Sequence, residues 1–282
     1  MTMKRPLSPA HVPQSLALVP LAPVLAVQAW RTVRRTPRLD PASGAERGLV
    51  PGPRHGAAPA YRLVVVGEST AVGVGAAEHA RALPGFLAEA LAARLRCAVT
   101  WTVAGENGAT ARRVARLARG RAGGHGHADL VVATVGINDL IRRRALDRWA
   151  DDVADLVAVL RGGFGDASVL VAGMPPVHRF PALPRPLRTV LGARARRMDR
   201  VTREAAHAAG AVHVPMDEAL ADDRALFAAD GFHPSAAGYR AWANDLARAA
   251  VPARGGGDGG TPGTAGPWRA NREMPVRRRS AR

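Results

Sequence analysis

Residues 62–66 read Arg-Leu-Val-Val-Val, and the chain then turns through Gly67-Glu68-Ser69-Thr70. An unbroken apolar run, with no alternation of polar residues, is the pattern of a strand buried on both faces of a parallel sheet. The sudden change to small and polar residues marks the strand's carboxyl end. The same grammar repeats downstream. Strands are predicted over 98–103, 130–135, 168–172 and 212–214, and helices over 84–95, 110–119, 147–160, 187–209 and 235–250. Strict alternation of β and α elements predicts an α/β fold, an open parallel sheet with helices on both faces. Right-handed crossovers then favour a flavodoxin-like strand order of 2-1-3-4-5, with five strands in a three-layer α/β/α sandwich.

Outside 61–250 the composition changes. Residues 1–60 carry 8 basic and 2 acidic side chains, and 251–282 carry 7 and 2, so the two flanks hold most of a net charge of +17. Lys4 is the only lysine. An excess placed in Pro- and Gly-rich flanks, and made almost wholly of arginine, does not specify nucleic acid, and none is expected as a partner. The expected organisation is a basic arm over 1–60, one domain over 61–250 and a disordered basic tail over 251–282. The arm contains an apolar stretch, 16–30, interrupted by Pro20 and Pro23 and followed by Arg31, Arg34 and Arg35, then a linker or extended segment over 36–60. It lacks the small-residue cleavage site of a signal peptide and is short for a membrane span. Two readings remain: peripheral membrane contact through residues 1–40, or a segment packed on the domain. The protein is accordingly expected in the cytoplasm or at a membrane surface. A single cysteine, Cys97, excludes a disulfide scaffold and the common Cys-based metal patterns; it reads as a buried apolar residue.

Ligands of an open α/β sheet bind beyond the carboxyl ends of its strands, where the strand order reverses. The predicted strand ends carry Gly67-Glu68-Ser69-Thr70, Gly105-Glu106-Asn107-Gly108 and Gly136-Ile137-Asn138-Asp139, and Asp230-Gly231-Phe232-His233 precedes the last helix. A serine hydroxyl needs an adjacent base to become a nucleophile; His233 can supply it, and Asp230 can hold the imidazole in the right tautomer. The Ser69 and Gly108 N–H groups and the Asn138 amide are candidate donors to an oxyanion. Ser69 lies in Gly-Glu-Ser-Thr-Ala, not Gly-x-Ser-x-Gly, and no phosphate-binding loop or dinucleotide fingerprint is present. His125-Gly126-His127 has no clear third ligand, so no metal is expected there. His178, His207 and His213 read as structural.

Four blocks in this order resemble the SGNH, or GDSL-type, hydrolases, a family of bacterial lipases and esterases, over essentially all of 61–250. The resemblance implies Ser69 as nucleophile, Asp230 and His233 as its partners, and Ser69, Gly108 and Asn138 as the oxyanion hole. It implies hydrolysis of a small-molecule or lipid-like carboxylic ester without metal or organic cofactor. The family's substrates include short-chain esters, lysophospholipids, thioesters and acetylated sugars. One position departs from the pattern: Glu68 stands where the family usually has Asp. The extra methylene is expected to shift the Ser69 backbone, and restoring Asp to leave activity the same or higher. Two other functions fit the same fold: a non-catalytic membrane- or polyanion-binding protein, and an acyl transferase acting on a sugar.

Overall fold

The computed structural model describes residues 20–52, 60–122 and 127–251. Six strands form one sheet: β1 (Arg47–Val50), β2 (Tyr61–Gly67), β3 (Val99–Gly105), β4 (Leu130–Thr134), β5 (Ser168–Ala172) and β6 (Val212–Val214). Their order is β1-β3-β2-β4-β5-β6. The five predicted strands are parallel and in the expected order.

The sixth strand, β1, is an addition. It comes from the segment read as linker and runs antiparallel to β3, with Arg47 opposite Thr102 and Val50 opposite Val99. The sheet is therefore mixed rather than wholly parallel. With four residues and alternate positions exposed, β1 buries too little to leave an apolar signature. It is held by ladder hydrogen bonds to an edge, which any sequence without proline can make.

Helices α2 (Leu83–Leu95) and α7 (Ala236–Ala250) pack together on one face of the sheet, and α3 (Ala111–Ala122), α5 (Leu146–Gly163) and α6 (Leu187–Ala208) cover the other. A single turn of helix, α4 (Ile137–Ile141), follows β4. β4 is buried at every position, as expected of a strand covered on both sides. Each face has its own core. Leu63, Val65, Leu87, Tyr239 and Leu246 belong to the first; Val66, Val131, Trp149, Leu156 and Met198 belong to the second.

The N-terminal stretch packs on the domain as α1 (Ala22–Arg35), with Pro23 in its first turn, where a missing N–H costs nothing. Leu25 and Ala29 rest on the core, and Gln28 bridges to the start of α6, donating to the Arg185 carbonyl (2.7 Å) and accepting from the Leu187 N–H (3.0 Å). Val24, Val27, Trp30 and Val33 remain exposed. No helix among the described residues is long and apolar enough to cross a membrane. Cys97 lies in the turn before β3 and is half-buried, not buried: the strand starts at Val99, one residue later than predicted. His125, the N-terminal residues 1–19 and the tail from 252 lie outside the described residues.

Candidate active site

The carboxyl end of β2 leads into a series of tight turns over 68–76 rather than into a helix. Ser69 opens this turn, nearly buried at 7% exposure, and its carbonyl accepts the Val74 N–H at 3.0 Å. The turn is clamped against the loop before α7. Tyr239, fully buried, donates its hydroxyl to the Val74 carbonyl at 2.7 Å, and burial pushes its phenol well above the ordinary range. At Gly75 (φ +98°) a Cβ would lie 2.3 Å from the Pro234 carbonyl oxygen, so two segments 159 residues apart meet only because this position has no side chain.

That clamp brings His233 to Ser69. The His233 Nε2 is 3.1 Å from the Ser69 Oγ, and its Nδ1 is 2.6 Å from the Asp230 Oδ2. Asp230 is buried, and its other oxygen accepts the N–H groups of Phe232 (2.9 Å) and His233 (3.0 Å). Burial alone raises a carboxyl pKa. Here the His233 ring and the two backbone donors outweigh it and hold Asp230 below the usual carboxylate range. An ionised carboxylate only accepts, so the His233 Nδ1 carries a proton and Nε2 is left to face the serine hydroxyl as a base.

Gly108 and Asn138 occupy the two neighbouring strand-end turns, after β3 and β4. Gly108 adopts φ +80°, a backbone conformation that favours glycine, although a Cβ there would meet only open space. The two turns are fastened to each other. The buried Asp139 accepts the N–H of Ala111, the first residue of α3, at 2.9 Å, and Arg142 donates to the Gly108 carbonyl at 3.2 Å. Burial first, then the nearby Asp152, pushes the Asp139 carboxyl upward. Asp139 therefore works as a cap supplied from a distant element, a role its position beside Asn138 in sequence does not show.

Glu68 lies at the edge of the cavity beside Ser69. It is 4% exposed, and both of its oxygens are used by the α4 turn. Oε1 accepts the Ile137 N–H at 3.0 Å; Oε2 accepts the Asn138 N–H at 3.1 Å and the Asn138 side-chain amide at 2.5 Å. Burial pushes this carboxyl up to about 7, against the lowering effect of those three donors.

A cavity opens beside Ser69 and His233, and most of its wall is apolar. Pro175, Pro176 and Phe180 come from the loop after β5. The opposite wall, with Met216, Leu220, Leu226 and Phe227, comes from 216–227, a stretch of irregular chain and two short 3-10 turns that sequence reading left unassigned. Its only local signal is Asp217 and Asp223, each capping the turn that follows. Phe180 stacks edge-on against both Phe227 and Phe232, with centroids 5.6 and 5.0 Å apart, and joins the two walls. Away from the site, His213 pairs with Asp199 at 2.9 Å, and Asp199 also accepts the Met174 N–H, which anchors the start of the pocket loop to α6.

The sequence pattern of the GDSL-like Lipase/Acylhydrolase family matches residues 65–241, a span that includes all five candidate residues. The chain belongs to this family. A GDSL-like esterase of Mycobacterium tuberculosis (strain ATCC 25618 / H37Rv) is 34% identical over 194 residues, which cover 65% of this chain and 59% of that protein. The match thus spans less than two thirds of the relative's length. Among solved structures, a carbohydrate acetylesterase from Sinorhizobium meliloti superposes with a TM-score of 0.53 at 17% identity, covering 67% of this chain and 97% of that one. A lipase/acylhydrolase from Enterococcus faecalis superposes with a TM-score of 0.52 at 21% identity, covering 67% and 94%. At these identities the two likenesses concern the fold. They come from proteins named for different substrates.

Proposed function

We propose that this GDSL-like family member is a serine esterase in which Ser69 attacks the ester carbonyl, His233 takes and returns the proton, and Asp230 orients the imidazole. The single observation that carries this reading is the continuous relay from Ser69 Oγ to His233 at 3.1 Å and from His233 to Asp230 at 2.6 Å. Attack breaks the carbonyl π bond and forms an oxyanion, for which the N–H groups of Ser69 and Gly108 and the Asn138 amide are the donors. Collapse expels the alcohol, which takes the proton from His233 Nε2. Water then attacks the acyl-enzyme by the same route and releases the acid. The steps use the triad side chains, the oxyanion donors and one water.

The apolar cavity supports an uncharged, hydrocarbon acyl group on the ester. Burying it against Phe180, Met216, Leu226 and Trp242 contributes about 0.8 kcal/mol per methylene. The exposed outer face of α1, with Val24, Val27 and Trp30 beside Arg31, Arg34 and Arg35, supports peripheral contact with an anionic lipid surface.

The test is hydrolysis of p-nitrophenyl acetate and butyrate by wild type and Ser69→Ala. Wild type is expected to turn both over, and the variant to lose at least about 10⁴-fold in kcat. An inactive wild type, or an equally active variant, overturns the triad and leaves a binding protein on the same fold. Adding an alcohol acceptor to the same assay separates hydrolysis from acyl transfer.

A further inference from the structure

The residue that departs from the family pattern is also the residue that touches Asn138. Glu68 immediately precedes Ser69, and its backbone N–H is fixed to the Thr134 carbonyl at the end of β4 (3.0 Å). From that anchored position the side chain crosses to the next strand-end turn and receives three N–H donors from two consecutive residues, Ile137 and Asn138. Both Glu68 oxygens already accept a backbone N–H, and the Asn138 side chain meets Oε2 through its amide nitrogen; the ionised form of Glu68, which has no hydrogen to offer, enforces that choice. One of the two hydrogens on that nitrogen points at Glu68. The other has no hydrogen-bond partner among the described residues.

An aspartate in the same place has a side chain shorter by one carbon–carbon bond, about 1.5 Å. From the same Cα it falls short of a turn that Glu68 meets at 2.5–3.1 Å. The extra methylene is therefore taken up in the span between two strand ends.

We propose that Glu68 is a positioning residue that acts through Asn138: its carboxylate selects the amide rotamer that presents an N–H to the oxyanion formed at Ser69. This rests on the reading of Asn138 as an oxyanion donor. Glu68 itself touches no reacting atom. It supplies order before the reaction, so that the donor does not have to reorient as charge develops.

A double-mutant cycle on p-nitrophenyl butyrate hydrolysis tests it, using Glu68→Gln, Asn138→Ala and the double variant, with thermal melts of each. Asn138→Ala is expected to lower kcat by about 10²–10³-fold. Glu68→Gln keeps the shape but places an amide where a pure acceptor stood; it is expected to lower kcat by about 10²-fold with KM nearly unchanged. The double variant is expected to be no slower than Asn138→Ala alone, because a positioning residue has nothing left to position. Losses that multiply, or a Glu68→Gln enzyme with wild-type kcat, overturn the proposal. Glu68→Asp serves as the second variant if Gln impairs folding. It keeps the charge and loses the reach, and is expected to cost about tenfold in kcat, the reverse of what comparing the two side chains in sequence suggested; wild-type activity would also overturn it. Failure of the underlying reading looks different: Asn138→Ala would then keep full kcat while Ser69→Ala abolishes it.

Discussion

The two sides of Ser69 are built on opposite principles. On one side lie His233, Asp230, Glu68 and the strand-end turns, where the buried carboxylates have partners on other residues and the distances run from 2.5 to 3.1 Å. On the other side lies the apolar cavity, walled by two loops that meet through edge-on phenyl contacts. Hydrogen bonds are directional, and a buried polar atom that loses its partner costs about 1–3 kcal/mol, so the polar side admits one arrangement. Apolar contact is additive and tolerant of shape, so the other side can be remodelled. Under the proposed function, the difference separates rate from choice: the polar side would determine whether the chemistry happens, and the apolar side on which acyl group.

Changes on the polar side should therefore lower kcat for every ester alike. Asp230→Asn is the sharpest case. The asparagine fills the same space and can still accept the Phe232 and His233 N–H groups, but its amide can donate to the imidazole and favour the wrong tautomer. An expected loss of about 10³–10⁴-fold in kcat, equal for acetate and butyrate esters, is read from steady-state kinetics. A loss confined to one ester would break the division between the two sides.

The division also explains what was legible in the sequence. The five parallel strands, their order and the five main helices follow from apolar periodicity, because each element buries a continuous face. The candidate polar residues are legible for a related reason. Ser69, Gly108 and Asn138 sit where apolar runs stop, and the strand order then brings those stops to one edge, while Asp230 and His233 precede the last helix. What stayed hidden was held by something other than side-chain burial. Strand β1 is fixed by backbone hydrogen bonds along an edge. Asp139 caps a helix 28 residues upstream, and Glu68 spans two turns that only the fold makes neighbours. The wall at 216–227 has no periodicity to read, and its Asp217 and Asp223 caps resemble those of any surface turn.

On the apolar side a bulkier residue should change preference without stopping turnover. Met216→Trp fills space in the cavity and makes no hydrogen bond to the relay. It is expected to shift the butyrate-to-acetate ratio of kcat/KM toward acetate by about tenfold, with kcat on acetate retained. A parallel fall on both esters would show that this wall supports the relay as well.

Glu68 offers a smaller effect that can be read without substrate. Burial raises its carboxyl to about 7 in the folded chain, above the ordinary glutamate range near 4.5. The folded state then holds the proton more tightly than the unfolded state does. Its contribution to stability is fully present below about pH 4.5 and is lost as pH rises through about 7. Between those values one proton contributes a slope of up to about 1.4 kcal/mol per pH unit in unfolding free energy. Urea melts at a series of pH values should show a shallower fall for Glu68→Gln than for wild type over that window. An identical slope would mean that the carboxyl titrates as an ordinary one and is ionised throughout.

The mildest effect is expected at α1, which belongs to neither side. Its inner face is tied to the start of α6 by Gln28, just after the loop whose Pro175, Pro176 and Phe180 line the cavity. Its outer face carries Val24, Val27 and Trp30, with Arg34 over the Trp30 ring at 4.9 Å and Arg31 and Arg35 exposed nearby. A basic residue close to an anionic leaflet contributes about 1 kcal/mol, so replacing one arginine should weaken partitioning about fivefold. Sedimentation with phosphatidylserine–phosphatidylcholine vesicles is expected to carry wild type down more than phosphatidylcholine alone does. Arg31→Gln should bind about fivefold less and still hydrolyse soluble p-nitrophenyl butyrate at the wild-type rate. Equal binding to both vesicle types would remove the lipid surface as a partner and leave α1 as a brace on α6. A fall in hydrolysis would instead tie this outer face to the cavity wall, and the separation between the site and its periphery would not hold.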